Sequence, residues 1–226
     1  MDLSEWLATP QGQRLAEAEK EVAADALRRV FGAQFLQVGA WGPADAFSQL
    51  AGTGRRAVCA EGHAAGVSFL AEDHQLPVAG HTVDAVLLPH TLERSRDPHQ
   101  VLRESERVLT GGGRLFVLGF DPFSFAGMRR LLTRGAWPPA VKRLVPERRL
   151  RDWLSLLNFD VTEVRRFLPA FPSSRLGRMV SFLPGYHGAY LLVAVKRVHV
   201  ITSARSLWRK PARVGGLIEP TTRNGL

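Results

Sequence analysis

Short apolar runs alternate with amphipathic stretches along the chain, the rhythm of strands and helices taking turns. Phe35 to Gly42 (Phe-Leu-Gln-Val-Gly-Ala-Trp-Gly) keeps strand character up to a glycine, which predicts a buried parallel strand ending at a tight turn. Before it, the segment up to about Gly32 reads as helix. Thr9-Pro10 starts it, Leu15, Val22, Ala26, Val30 and Phe31 fall near helical spacing, and Gly32 stops it. After it, the pattern predicts a short helix at Ala44 to Leu50, a second strand at Ala57 to Ala60, and a second helix from Gly62 to Leu70 interrupted by Gly66. Val83 to Leu88 is a third strand of buried type. Asp97 as N-cap and Pro98 at the first position open a helix from His99 to Thr110 that buries Val101, Leu102, Val108 and Leu109. Gly111-Gly112-Gly113 ends this helix, and Arg114 to Phe120 returns as strand. A basic helix at Phe123 to Gly135, a helix at Glu147 to Leu157 with Leu150, Trp153, Leu154 and Leu157 on one face, and strands at Phe159 to Phe167 and Ala189 to Val198 complete the reading. Strand, helix, strand in repetition predicts an α/β fold built on a parallel sheet.

The expected organisation is an N-terminal helical segment (1–33), a main domain (34–198) and a basic, flexible tail (199–226). Segment 121–146 reads as a lid or cap. Segment 168–188 reads as a second insertion whose Tyr186 and His187 could line a substrate pocket. An apolar content of 45% is ordinary for a globular chain, and no apolar run reaches the roughly 18 residues of a membrane span. The start, Met-Asp-Leu-Ser-Glu, lacks the basic-then-apolar order of a secretory signal, so a cytoplasmic location and no membrane partner are expected. A lone cysteine, Cys59, excludes an internal disulfide and reads as core.

The net charge of +9 is uneven, with +6 between Lys196 and Leu226 and another +6 between Met128 and Arg166. A basic late half fits an acidic substrate, RNA or a solvated surface. Aromatic interleaving of the kind that stacks bases is sparse there, so nucleic acid is not the favoured partner.

Candidate chemistry centres on the first turn. Gly39 lacks a Cβ and tolerates positive φ, so the backbone there can approach a ligand at the carboxyl end of the sheet. Glu61 closes the second strand at the distance where an acid would hold a ribose hydroxyl pair. Gly39 and Gly42 equally fit a loop that binds nothing. The seven histidines show no metal-ligand spacing with a carboxylate, so no metal is expected. A Gly-x-Gly-x-x-Gly turn and a Gly-x-Ser-x-Gly elbow are both missing, which argues against a nicotinamide dehydrogenase and a serine hydrolase.

From Leu76 to Gly119 the order Leu76-Pro77, Val83-Asp84, Asp97-Pro98, Leu102-Arg103-Glu104, Arg107-Val108-Leu109, Gly112-Gly113-Arg114-Leu115 resembles the small class I S-adenosylmethionine-dependent methyltransferases. With the flanking strands, the resemblance covers roughly Gln34 to Val198. It implies a Rossmann-like α/β fold: a seven-stranded mixed sheet with helices on both faces and an antiparallel last strand. It also implies S-adenosyl-L-methionine as cofactor. Gly39, Ala40 and Gly42 would pass its methionine part, Gln37 would stand two residues before the turn, and Glu61 with Gly62 would meet the ribose. Glu72 or Asp73 would meet the adenine amino group, and Pro89 and His90 would border the sulfonium. His90 is the candidate general base by pKa and position; a histidine hydrogen-bonded at a strand end is the alternative. The sequence departs from the family where the turn is usually Gly-x-Gly-x-Gly: Trp41 and Pro43 replace the two later glycines. The function this implies is methyl transfer to a small-molecule acceptor. A catalytically inactive methyltransferase-like binding or scaffold protein is the alternative that Trp41 and Pro43 favour, and an RNA-directed methyltransferase is the third reading.

Overall fold

The computed structural model describes residues 3–123, 140–167 and 188–198. Residues 124–139 of the expected lid, 168–187 of the second insertion, with Tyr186 and His187, and the tail after Val198 lie outside these residues.

Seven strands form one sheet: β1 (Gln34–Val38), β2 (Arg55–Ala60), β3 (Phe69–Leu70), β4 (Val83–Pro89), β5 (Leu109–Phe120), β6 (Phe159–Phe167) and β7 (Ala189–Lys196). Their order is β3-β2-β1-β4-β5-β7-β6. β1 to β5 run parallel, and β7 inserts antiparallel between β5 and β6. β1 sends its connection one way to β2, whereas the chain crosses back from β3 to reach β4 on its other side. The β1/β4 boundary is therefore the topological switch point, where open α/β sheets bind ligands. An anchor sets the entry to β1: Asp84 Oδ2 accepts from the Ala33 and Gln34 amides at 2.7 and 2.9 Å.

Alternate strand residues face two separate cores. Phe35, Leu87 and Phe116 pack under α1 (Leu3–Leu7) and α2 (Pro10–Arg28). Leu36, Val86, Leu88 and Val117 pack against α4 (Pro98–Val108) and α5 (Glu147–Leu156); a single turn, α3 (Thr91–Arg94), lies between β4 and α4. The fold class is thus α/β with helices on both faces and the last strand antiparallel. The helix starts follow the expected capping chemistry. Thr9 Oγ1 accepts from Gly12 N at 3.2 Å, and Asp97 Oδ1 accepts from Gln100 N at 3.0 Å, each with proline at the first position.

Several local expectations are corrected. α2 ends at Arg28, and Phe31 is 85% exposed rather than on its buried face. Only one 3₁₀ turn, Ser48–Leu50, forms between Ala44 and Leu50. The helix expected at Gly62 to Leu70 does not form. Gly66 adopts φ +88°, and the segment's backbone bonds to its neighbour: Ser68 N donates to Val58 O at 2.8 Å, and the two-residue strand β3 pairs with β2. The triple glycine does not separate α4 from β5 but lies inside the strand, which begins at Leu109 opposite Val83.

α1 and α2 meet closely because Gly12 has no side chain. A Cβ there would stand 2.4 Å from the Trp6 carbonyl oxygen and 2.5 Å from Leu7 Cα. Gly12→Val is expected to destabilise the protein by about 1–3 kcal/mol through this overpacking, read as a lowered urea midpoint. An unchanged midpoint would show that α1 contributes nothing to the fold.

Candidate functional site

A cleft of about 1020 Å³ opens at the carboxyl ends of β1, β2 and β4, walled on the other side by α1 and α2. It lies at or just above the upper end of the roughly 300–1,000 Å³ typical of small-molecule sites.

The turn after β1 forms its floor. Gly39 has φ +95°, and a Cβ there would lie 2.7 Å from Thr91 Oγ1, so conformation and close packing both require glycine. Thr91 ties the turn down by donating its hydroxyl to Val38 O. Gly42, at φ +68°, faces open space: nothing lies within 4 Å of where its Cβ would be. Beneath the turn, Gln37 Nε2 donates to Gly39 O at 3.0 Å and Ala44 O at 2.8 Å; its Oε1 is buried without a partner. Gln37 is thus fully buried and shapes the turn from below rather than lining the cleft.

Two carboxylates stand at neighbouring strand ends. Glu61 follows β2 and is exposed; Asp73 follows β3 and is 8% exposed. Both line the cleft, as do Ala40, Gly42, Gly62 and Cys59. Burial pushes the Cys59 thiol up to about 11; its hydrogen bond to the Ala71 carbonyl opposes this, and the charges of Asp73 and Glu61 add to it. Cys59 is therefore a protonated part of the wall. Between the two acids the sequence left open, the structure brings only Asp73 to the cleft. Both acids contact His74, Glu72 at 3.1 Å from Nε2 and Asp73 at 3.2 Å from Nδ1, but Glu72 does not line the cleft.

Trp41 and His90 do not lie where the sequence suggested. Trp41 is 1% exposed and turns away from the cleft into the core under α2. Its Nε1 donates to Glu19 Oε2 at 2.6 Å. His90 is 0% exposed, with its ring between those of Trp41 and Phe120 at centroid distances of 4.2 and 4.1 Å. Its Nε2 is 2.7 Å from Glu19 Oε1 and its Nδ1 2.7 Å from Glu93 Oε2, while Glu93 Oε1 accepts from Phe120 N at 2.7 Å. Burial alone would drive the imidazolium's pKa down. The charge and hydrogen bond of Glu19, then those of Glu93, reverse this and raise it to about 9. Burial also raises Glu93, against its bonds to His90 and Phe120 N.

As a general base, His90 is thus corrected: both ring nitrogens are occupied, the ring keeps its proton at neutral pH, and the residue is fully buried and does not line the cleft. Pro89, the last residue of β4, likewise stays outside the lining. Sequence reasoning missed Glu19 and Glu93. An acid on the buried face of an amphipathic helix, four residues after Leu15 and four before Ala23, was the available signal for Glu19. It also missed Lys20, Arg94 and Lys142, which line the cleft.

The seven-stranded sheet with its inserted antiparallel strand, the glycine turn after β1 and the acid at the end of β2 are the framework of the class I methyltransferases. Residues 23–117 match the methyltransferase domain family. Among curated proteins, the uncharacterized protein YafS of Escherichia coli (strain K12) is 38% identical over 138 residues, which cover 60% of this chain and 58% of YafS. The match thus spans less than two thirds of that relative's length. Among solved structures, an S-adenosylmethionine-dependent methyltransferase of Thermotoga maritima, a possible histamine N-methyltransferase, superimposes with a TM-score of 0.64 at 18% identity, covering 81% of this chain and 90% of that one. Geranyl diphosphate methyltransferase in complex with S-adenosylmethionine gives a TM-score of 0.56 at 18% identity, covering 85% and 94%. The chain therefore has the class I methyltransferase fold.

Proposed function

We propose that the protein transfers a methyl group from S-adenosylmethionine to a small-molecule acceptor. The observation that carries this reading is the layout of the cleft. A glycine turn that admits no side chain sits at the tip of β1, and Glu61 and Asp73 stand at the tips of β2 and β3. The donor set fits the cofactor. Glu61 would accept from the ribose hydroxyls, Asp73 from the adenine amino group, and the Gly39–Ala40 backbone would lie along the methionine part. When bound, S-adenosylmethionine supplies a methyl group already activated by its sulfonium, so the protein's task is alignment. Gly39 and Thr91 fix the floor, and α1 and α2 close the cleft from the other side. With His90 held in the core, any proton that the acceptor must lose is taken by another group at the cleft or by solvent.

Trp41 packs in the core and leaves the cleft open, which removes the main reason for reading the chain as an inactive scaffold.

Calorimetric titration with S-adenosylhomocysteine tests the reading. Micromolar binding is expected, weakened about 10- to 100-fold in Glu61→Ala through loss of charge-assisted hydrogen bonds. Glu72→Ala should bind as the parent does. No heat and no thermal shift at millimolar ligand would overturn the cofactor assignment.

A further inference from the structure

Charge in the cleft is ordered by the sheet. Asp73, Glu61 and Gly39 follow β3, β2 and β1 in the order in which those strands lie side by side, and Thr91 and Arg94 come next, after β4. Lys142 sits beyond them: its backbone amide and that of Arg143 donate to Glu93 O at 2.9 and 3.2 Å, which clamps the 140–143 turn onto α3. Arg94 is fixed beside the glycine turn by donating from Nη1 to Ala40 O at 2.7 Å. Lys20 lines the cleft from α2, next in the chain to Glu19, whose bonds to Trp41 and His90 hold that part of the helix over the β1 and β4 ends. The β2 and β3 ends therefore bring acids to the cleft, the β4 side brings Arg94 and Lys142, and α2 brings Lys20 together with Glu17. Among the described residues, no ion pair or hydrogen bond engages the side chain of Lys20 or Lys142. Glu17, the acid on this wall, is exposed to solvent, where its field is weakened by water and salt.

A ligand whose polar nucleoside end meets Glu61 and Asp73 would have its own carboxylate near Arg94, which leaves Lys20 and Lys142 for a second anion. We propose that the acceptor carries an anionic group, a carboxylate or a phosphate, held by Lys20 and Lys142 in the cleft. This rests on the methyltransferase reading and deepens it, since an anion held there places the acceptor at the β4 side of the glycine turn. Lysine suits the task because a compact ammonium on a flexible stem binds either anion as a point charge. Lys20 is half-buried and Lys142 exposed, so weak, salt-sensitive binding is expected for a free anion.

The test uses inorganic phosphate and acetate as separate probes, titrated by NMR into the full chain saturated with S-adenosylhomocysteine, so that the ligand's own carboxylate is already in place. Millimolar binding of at least one probe is expected, at least fivefold weaker in the double variant Lys20→Gln/Lys142→Gln and restored in Lys20→Arg/Lys142→Arg. Preference between the two probes distinguishes a phosphorylated from a carboxylated acceptor. Equal binding in the parent and the Gln variant, or no binding of either probe to the parent, overturns the proposal. S-adenosylhomocysteine affinity in the Gln variant should stay within about twofold; a larger loss would place these lysines in the cofactor site instead and overturn it as well. If S-adenosylhomocysteine does not bind at all, the cofactor reading fails by itself. The phosphate and acetate titrations are then made on the ligand-free chain, where the same loss and rescue support the anion site and their absence removes it.

Discussion

His90→Ala is expected to destabilise the protein by about 3–5 kcal/mol, the cost of removing one partner from a buried charged network. The reason lies in what would remain. Glu19 and Glu93 are both buried, and each points a carboxylate oxygen at His90 from 2.7 Å. Without the imidazolium between them, two carboxylates would share a low-dielectric pocket with only the Trp41 and Phe120 N–H groups to satisfy them. The change would also open a void between two aromatic rings. Chemical denaturation reads the loss, and His90→Gln, which keeps hydrogen bonding but no charge, should fall between. A loss below 1 kcal/mol in His90→Ala would show that the network carries no weight.

The same triad gives stability a pH dependence of definite sign. His90 has an ordinary pKa of 6.5 and a folded value raised to about 9. A raised value means that the folded state holds its proton more tightly than the unfolded state. The stabilisation is therefore complete below about pH 6.5 and is lost as the pH climbs through 9. Glu93 is shifted in the same direction, so it does not offset the trend. Over this window the parent should lose about 3 kcal/mol, the equivalent of a shift of this size, and in His90→Ala the imidazole's part disappears, leaving only the dependence of the two unpaired acids. Cys59 and Tyr190 are also pushed upward, Cys59 to about 11 and Tyr190 well above 10, so they titrate beyond the window.

Much of the fold was legible because its strands are buried on both faces and read as continuous apolar runs. β4, with Val83, Ala85, Val86, Leu87 and Leu88 all buried, is the plainest case. α4 was legible from Asp97-Pro98 together with the spacing of Val101, Leu102 and Val108. The stretch from Gly62 to Leu70 misled because its residues fit a helix locally, while β2 offered its backbone a partner that no local pattern signals. In the site, six of the residues singled out from the sequence line the cleft: Gly39, Ala40, Gly42, Glu61, Gly62 and Asp73. What stayed hidden was direction. Position in the chain places His90 and Trp41 at the mouth of the sheet, yet only the packing of α2, and Glu19 upon it, decides that both rings point inward. Lys20 and Lys142 come from segments far from the motif and had no local pattern to mark them.

Trp41→Gly would return the turn to the more usual Gly-x-Gly spacing, and it is expected to damage the protein rather than improve it. The indole is 1% exposed, packs at a tilt against the His90 ring, meets Phe120 edge-on at 6.1 Å, and donates to the buried Glu19 carboxylate. Its removal should cost about 3–5 kcal/mol or more, since a large cavity and an unsatisfied carboxylate oxygen arise together. Ligand affinity should not rise, because the side chain does not stand in the cleft. Trp41→Phe separates the two contributions: it keeps most of the volume and loses only the N–H, so about 1–3 kcal/mol is expected from the carboxylate alone. Urea denaturation and S-adenosylhomocysteine titration on the same samples decide the matter. Tighter binding in Trp41→Gly with stability retained would mean that the indole reaches the ligand and that α2 is not anchored as described. A stability loss without gain in affinity would mean that this chain has replaced a glycine of the turn with a residue that fastens the N-terminal helix over its own cleft.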